Sequence, residues 1–440
     1  MAQHQNLSIF GLFLAGSLVG CGPVPVRPAP IPTALPRAPA TSSCGVSKAP
    51  RQTVDVRDVA WTGHAGDRTW ILAKSGDRRV LLRLVRDKLE PFLLPEAFAN
   101  GYVSAHAREH FIWVLRTGAD KPISGAAWVL IDVSNPEKPK SSRVELLDPL
   151  PAEEPNRFAL WDDRALFLLG SPGELILWNL ATREPVVERI KPAAKTIDDP
   201  WLHCSPTHCL SILAEGQEDK RRLKVRRIDK HGGESPEELG PGAVGESTTV
   251  LWGDRIFSAW SRFDAKGLWA RQLDAKNGQF NGAPYMLTGV EPDIQDPVGF
   301  TTRNGLFLAW QAARVGWRMG KLDEDGVAVG EIVSLPAVGS SLSAAATDDG
   351  VAVSIYSAGP DEMRAGNEWD SSVRALFVPF GKTPAETDIV TLVNNEHGHG
   401  HGGFAGYALA APNAASVLVT PIGNALGESF VTQLRKPCAD

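Results

Sequence analysis

The sequence predicts an all-β chain folded as a β-propeller of four-stranded blades, and three observations carry that reading. The first is a repeat within residues 248–336. Thr249-Val250-Leu251-Trp252, a Gly253-Asp254 turn, Ile256 to Trp260, Leu268 to Asp274 and Tyr285-Met286-Leu287 are followed by a second copy. It comprises Gly299 to Thr302, an Asn304-Gly305 turn, Leu306 to Trp310, Val315 to Asp323 and Ile332 to Leu335. Four short β-rich runs parted by turn residues, at a period of about fifty residues, are the sequence form of one blade. The second observation is that comparable runs fill the remainder of the chain from residue 51 onward. The third is composition: 42 Gly and 33 Pro supply many turns, and 13 Trp against 4 Tyr supply bulky apolar groups for packing between blades. At 440 residues the length alone would suit two or three ordinary domains, but a repeat outranks length as a guide to domain count.

Residues 1–20 read as a signal peptide and lie outside the fold. Leu7 to Val19 is apolar and short of the roughly twenty residues of a membrane-spanning helix. It ends in Leu18-Val19-Gly20-Cys21, and this quartet resembles the bacterial lipobox. The resemblance implies a lipoprotein in which Cys21 becomes the mature amino terminus, carrying a diacylglycerol and an amide-linked acyl chain such as palmitate. More than one chain makes membrane attachment stable. Gly22 in place of Asp implies, by likeness to Gram-negative sorting, the outer membrane as destination. Met1 to Asn6 departs from the pattern in having no Lys or Arg. An ordinary cleaved signal peptide and an uncleaved anchor are the alternatives. Residues 21–50 follow as anchor and linker; eight prolines between Gly22 and Pro50 make a semi-rigid tether. At about 3.1 Å per residue its reach to Cys44 is on the order of 70 Å.

The propeller occupies residues 51–440. Blade one takes Val59 to Trp61, Trp70 to Ala73, Val80 to Leu84 and Pro91 to Leu94. Blade two takes Val103 to Ala105, Phe111 to Leu115, Ala127 to Ile131 and Val144 to Leu147. Blade three takes Phe158 to Trp161, Leu166 to Leu169, Leu175 to Leu180 and Val186 to Ile190. Blade four runs from Trp201 through Cys209 to Leu213 and Leu223 to Ile228. The repeat supplies blades five and six. Blade seven has Leu342 to Ala346, Val351 to Ile355, Val373 to Phe377 and Ile389 to Leu392. Blade eight has only Tyr407 to Ala410, Ser416 to Val419 and Phe430 to Leu434. The segment Thr53-Val54-Asp55-Val56 is free to supply its fourth strand, closing the ring and removing open sheet edges. A count of seven blades, with two units merged, is the alternative.

Five cysteines are present, and with Cys21 assigned to lipid the remaining four are an even number in an exported chain, which reads as disulfides. Cys44 precedes blade one and Cys438 follows blade eight, so their pairing would clasp the ring at its seam. In the entropic model so long a loop is worth up to about 5 kcal/mol. Cys204 and Cys209 would pair within blade four, at roughly 2 kcal/mol. His203, Cys204, His208 and Cys209 also form a possible zinc set, for which the disulfide is the simpler account.

Two further stretches offer chemistry. Glu396 to Gly403 alternates His with Gly on the connection between blades seven and eight, and His397, His399 and His401 could converge on Zn, Ni or Cu. The alternative is a solvated Gly-rich loop and no cofactor. Gly398, Gly400 and Gly403 match a dinucleotide pattern in letters only, without the strand, helix and acidic partner it needs. Lys220 to Arg227 places Arg222, Lys224 and Arg226 on one strand face, able to meet phosphate or an acidic partner, or to guard an exposed strand from aggregation. A net charge of −6 gives no global attraction to nucleic acid. No Gly-x-Ser-x-Gly elbow, His-Glu-x-x-His or Walker loop occurs.

Taken with the lipobox, the repeat makes the chain resemble bacterial lipoproteins that carry a β-propeller. Leu177 to Glu184 looks like a strand of a WD-type or quinoprotein-like blade, a pattern read in that blade alone. In gross plan the chain is similar to the lipoprotein propeller that scaffolds outer-membrane barrel assembly, a likeness of architecture that transfers no site residue. The expectation is a lipid-anchored envelope propeller, periplasmic or surface-facing. It would bind or scaffold an envelope protein, attach to the membrane through Cys21, take no nucleic acid and have no catalytic residue. Metal binding through the His-Gly stretch and a propeller hydrolase or lyase acting on glycans are the alternatives.

Overall fold

The computed structural model describes residues 51–435 except 86–87, 118–125, 143, 148–154, 163, 170–173, 183, 191–196, 217–219, 289–293, 303–304, 313–315, 336–340, 359–367, 381–383, 385–387, 400–402 and 423–426. These residues form eight antiparallel sheets arranged as the blades of a propeller, with no α-helix among them. Blade 1 consists of Arg57–Ala65, Arg68–Ser75, Arg78–Val85 and Lys88–Leu93. Blade 2 consists of Tyr102–Arg108, Phe111–Thr117, Ala126–Asp132 and Glu145–Leu147, with Lys140–Ser141 also against the third strand. Blade 3 is Pro155–Trp161, Arg164–Leu169, Glu174–Asn179 and Glu184–Ile190. Blade 4 is Ile197–Cys204, Cys209–Glu215 and Arg222–Asp229, edged by Gly232–Gly233 and Glu237–Glu238.

The repeated pair becomes blade 5, Val244–Trp252, Arg255–Arg262, Leu268–Asp274 and Phe280–Met286, and blade 6, Ile294–Thr302, Gly305–Ala312, Gly316–Leu322 and Ala328–Ser334. Blade 7 is Ser341–Ala346, Gly350–Ala358, Glu368–Pro379 and Val390–His399. Its last strand differs from expectation, because the backbone of 397–399 continues the sheet opposite Glu368 and Trp369 where a connection was read. Blade 8 has Gly403–Ala411, Ala414–Ile422 and Phe430–Arg435.

The fourth strand of blade 8 is Gln52–Thr53, with Gln52 opposite Val431 and Thr53 opposite Phe430. The Val54 amide donates to the Ser429 carbonyl at 2.9 Å, and the Ser429 hydroxyl donates to the Val56 carbonyl. The pairing therefore joins the two ends of the described chain over the first two residues of Phe430–Arg435.

Burial follows position in the blade. Second strands are buried along most of their length, with Cys209–Glu215 buried throughout, whereas Lys88–Leu93 at an outer edge is largely exposed. A strand covered on both faces needs apolar residues on both, which is why second strands read as continuous apolar runs. Eight apolar clusters result among the described residues, and each joins one blade to the next. Trp70, Leu72 and Leu81 meet Ile112, Val114 and Val129 between blades 1 and 2. Phe307, Trp317 and Met319 meet Val353, Ile355 and Leu376 between blades 6 and 7. The ring closes through Ile71, Val80 and Leu82 against Leu409, Leu418 and Val431.

First strands of successive blades lie against one another from blade 1 through blade 8, so they surround the ring axis. Strand direction then defines two faces. The turns between first and second and between third and fourth strands emerge on one, the turn face. The turns between second and third strands and the links between blades emerge on the other, the crossover face. Arg435 lies at the turn face of blade 8, whereas Gln52, opposite Val431, lies toward its crossover face.

Candidate functional site

The Cys204–Cys209 disulfide is formed, with an S–S distance of 2.00 Å, across a pair of directly opposed strand residues. Both cysteines are buried toward blade 3 with Leu166, Leu168 and Leu202. His203 precedes Cys204 in the same strand and projects to the other side, as strand alternation requires. The four residues of the HCSPTHC stretch therefore do not converge on one ion, and no group of three or more His, Cys, Asp or Glu among the described residues is placed to hold a metal.

Lys224 and Arg226 are joined by a partner that sequence reading did not name. Glu215, at the end of the neighbouring strand, is buried, and its carboxylate lies 3.3 Å from the Lys224 ammonium and 3.7 Å from the Arg226 guanidinium. A buried carboxylate needs such partners to be held charged. Arg222 donates to the Arg221 carbonyl at 3.0 Å. His397 and His399 belong to the last strand of blade 7, while His401, Cys21, Cys44 and Cys438 lie outside the described residues.

The strongest concentration of chemistry lies on the first strands of blades 1 to 4, at their turn-face ends. His64 is next to last in Arg57–Ala65, His106 and Arg108 close Tyr102–Arg108, Trp161 ends Pro155–Trp161, and His203 is next to last in Ile197–Cys204. Alternation places His106 and Arg108 on the side facing blade 3, while Val103, Ala105 and Ala107 pack toward blade 1. The Arg108 guanidinium stands 3.3 Å from the centre of the Trp161 ring, a cation–π contact across the blade 2–3 junction. The His106 ring lies 6.1 Å from Trp113 and 6.2 Å from Phe158, and His203 stacks on Trp201 at 5.7 Å.

Burial holds all three imidazoles neutral. His64 and His106 are pushed down to about 4, His106 with help from the Arg108 charge. His203 is pushed down to about 3, by burial first and then by His106, Arg108 and His208. Of the groups named, Arg108 carries the permanent charge. Glu109 and Asp162, beside Arg108, stand in the first turns of blades 2 and 3, each with positive φ. None of the three imidazoles has a side-chain hydrogen bond among the described residues, and Nε2 of His208 is buried without a partner.

A concavity of about 550 Å³ lies at the turn face between blades 5 and 6 and is lined by Arg255, Gln272, Asn281, Tyr285 and Asp325. Several of its polar groups are engaged within the protein: Gln272 donates to the Glu324 carbonyl at 3.0 Å and Tyr285 to the Gly326 carbonyl at 2.8 Å. It offers less unspent chemistry than the histidine cluster.

Sequence reading passed over His64, His106 and Arg108, and weighed His203 only with its neighbours as a zinc set, because each blade contributes only one or two of these residues. Their shared signal is positional, the last residues of a first strand before its turn, and it emerges only when the blades are aligned on their turns.

No protein-family model matches the chain, and no curated protein matches it in sequence. Solved structures with similar folds include one of two prolyl endopeptidases studied for inter-domain dynamics in catalysis and specificity. Its TM-score is 0.44 at 15% identity, covering 83% of this chain and 53% of that one. AztD from Citrobacter koseri gives 0.43 at 10% identity, covering 86% and 94%. A puromycin-hydrolyzing peptidase of Mycobacterium tuberculosis gives 0.45 at 14%, covering 91% and 63%. The chain spans about half the length of the prolyl endopeptidase. No residue role is carried over from any of them.

Proposed function

We propose that this chain is a lipid-anchored propeller of the cell envelope, held at the outer membrane through Cys21, that binds or scaffolds an envelope protein rather than catalysing a reaction. The observation that carries the reading is the sidedness of the ring. The last described residue, Arg435, is on the turn face, whereas Gln52–Thr53 pairs with Phe430 and Val431 near the crossover end of blade 8. Leu93, Tyr102, Phe263 and Ile422, the exposed large apolar side chains among the described residues, are all on the crossover face, 40–62% exposed. Single exposed apolar residues are ordinary; four on one face favour contact with a partner. The proline-rich segment from residue 22 to 50 would hold the ring clear of the bilayer.

A binding role also agrees with the histidine cluster. Catalytic imidazoles are commonly linked to a nucleophile or an orienting carboxylate, and His64, His106 and His203 have no such bond among the described residues. The test is recovery of the cross-linked protein from its own envelope, beside a Cys21→Ala form. Capture of one envelope complex that depends on Cys21 supports the reading. Equal capture by both forms removes the anchor from it, and capture of nothing removes the scaffold.

A further inference from the structure

We infer that the cavity between blades 5 and 6 at the turn face is a binding site for a neutral saccharide. The histidine cluster holds more unengaged groups, but this cavity joins unengaged groups to a space. Its volume of about 550 Å³ lies within the range of about 300–1,000 Å³ usual for small-molecule sites. A bulge makes that space. Ala270 pairs with Tyr285 and Gln272 with Asn281, so residues 282–284 stand against residue 271 alone, and Gly282 takes a φ of 80°. Blade 6 has the same bulge between Val329 and Val333, with Lys321 and Val329 where blade 5 has Gln272 and Asn281. The backbone form therefore does not call for the two carboxamides. Across the cavity, the turn of blade 6 is fixed. Gln272, 5% exposed, donates from Nε2 to the Glu324 carbonyl at 3.0 Å, Tyr285 donates to the Gly326 carbonyl at 2.8 Å, and Oδ1 of Asp323 accepts the Asp325 and Val327 amides. A carbonyl can only accept, so the amide nitrogen of Gln272 is the bonded atom and its Oε1 is left without a partner among the described residues. The Asp325 carboxylate and the Asn281 carboxamide likewise have none, and Arg255 spends one N–H on the Glu324 carbonyl.

These groups select the ligand. Asp325 and the carbonyl oxygens of Gln272 and Asn281 accept, Arg255 and the Asn281 amide nitrogen donate, and the one positive and one negative charge cancel. A free anion would meet Asp325, and a metal cation would meet Arg255. A hydroxyl both donates and accepts, and neighbouring hydroxyls of a sugar ring suit the two coplanar polar atoms of a carboxylate, a carboxamide or a guanidinium. Pro284 and the Tyr285 ring supply apolar surface for the C–H groups of the sugar. Asp325 is the one carboxylate among the lining residues, and glycoside cleavage ordinarily takes two, so the site holds a glycan rather than cutting it.

The inference is independent of Cys21 and of the crossover face. The full chain, purified in detergent, is exposed to an array of neutral oligosaccharides built from hexose, N-acetylhexosamine and pentose units. The best-retained glycan is then titrated by calorimetry, beside glycylglycine as a dipolar peptide. One saturable site for the glycan and none for glycylglycine is expected. Asp325→Ala should weaken binding about tenfold or more, as loss of a hydrogen bond to a charged group does, and Asn281→Ala about threefold or more. Asp325→Asn, which keeps an acceptor, should fall between Asp325→Ala and the native chain. Asp77→Ala, which removes an exposed carboxylate of blade 1, should change nothing. Asn281 is exposed, so its variant decides by the threefold criterion should Asp325→Ala disturb the turn. Retention of no glycan overturns the inference, as does saturation by glycylglycine, or glycan binding that the Asp325 and Asn281 variants leave unchanged. Glycan binding by a chain that captures no envelope partner leaves this site standing and sinks the scaffold; capture without glycan binding does the reverse.

Discussion

His64, His106 and His203 are polar rings placed where a propeller usually packs apolar groups, and their cost is set by pH. A free imidazole titrates near 6.5; burial lowers His64 and His106 to about 4 and His203 to about 3. A lowered pKa in the folded state means that the unfolded chain binds more protons below 6.5, so stability rises with pH through this window. Above about 6.5 the three residues contribute no pH dependence. As pH falls from 6.5 toward 4, stability is lost on account of all three, and from 4 toward 3 on account of His203 alone. Each site adds a slope of at most about 1.4 kcal/mol per pH unit, less for His64 and His106, which are partly exposed where His203 is buried. The expected outcome is a melting temperature that declines between pH 6.5 and 4, with a shallower decline in His203→Gln. An unchanged decline in that variant would assign the acid lability to carboxylates instead.

At the scale of the strand and its turn, one device recurs in five blades. Asp132, Asn179, Asp229, Asp274 and Asp323 each end, or in one case closely follow, the third strand, and each side-chain oxygen accepts backbone N–H groups in the turn that follows. This Asx turn sets the direction of the outer strand. The sequence shows it once the position is known: Leu130-Ile131-Asp132, Leu177-Trp178-Asn179, Arg227-Ile228-Asp229, Gln272-Leu273-Asp274 and Lys321-Leu322-Asp323 share an apolar residue and then Asp or Asn. Asn179 stands in the WD-like stretch read in blade 3 alone, and the Asx position within it recurs as Asp in the other four blades. Removing one such group should cost about 1 kcal/mol, by analogy with loss of a side-chain cap. Asp274→Ala is therefore expected to lower stability by that amount and to speed exchange of the Lys276 and Asn277 amides, while Asp254→Ala in an ordinary turn should do neither. Beyond Asp229, the outer edge of blade 4 had no signal. Gly232–Gly233 and Glu237–Glu238 have poor β propensity and are held instead by Arg227, 3.2 Å from Glu234, and by the Leu239 amide on the Leu223 carbonyl at 2.9 Å.

Across the molecule, stability is distributed among eight junctions, and the described residues form no central core to override a weak one. That arrangement explains what was legible. Strands covered on both sides, such as Arg255–Arg262 and Gly305–Ala312, announce themselves as apolar runs, and their spacing gave the blade count. The histidine cluster was illegible because three blades contribute to it and each offers one or two polar residues in a strand that otherwise alternates normally. The same arrangement makes the seam between blades 8 and 1 the place to break the ring. There the chain contributes a two-residue strand, Gln52–Thr53, and one buried side chain, Val56, worth about 2 kcal/mol of apolar burial. Arg51 adds a guanidinium 4.8 Å over the Phe430 ring. Replacing residues 51–56 with a flexible Gly-Ser segment removes those contacts while Ile71, Val80, Leu409 and Leu418 remain to hold the junction. Hydrogen exchange is the direct measurement. Amides of Arg68–Ser75 and Ala414–Ile422 should lose protection first, while Cys209–Glu215 and Arg255–Arg262, on the far side of the ring, should keep theirs until global unfolding. If protection falls equally in all four strands, the ring unfolds as one unit and the seam is not its weakest junction. If it falls at the seam only after reduction, a clasp between Cys44 and Cys438 carries the closure that the short strand was assigned.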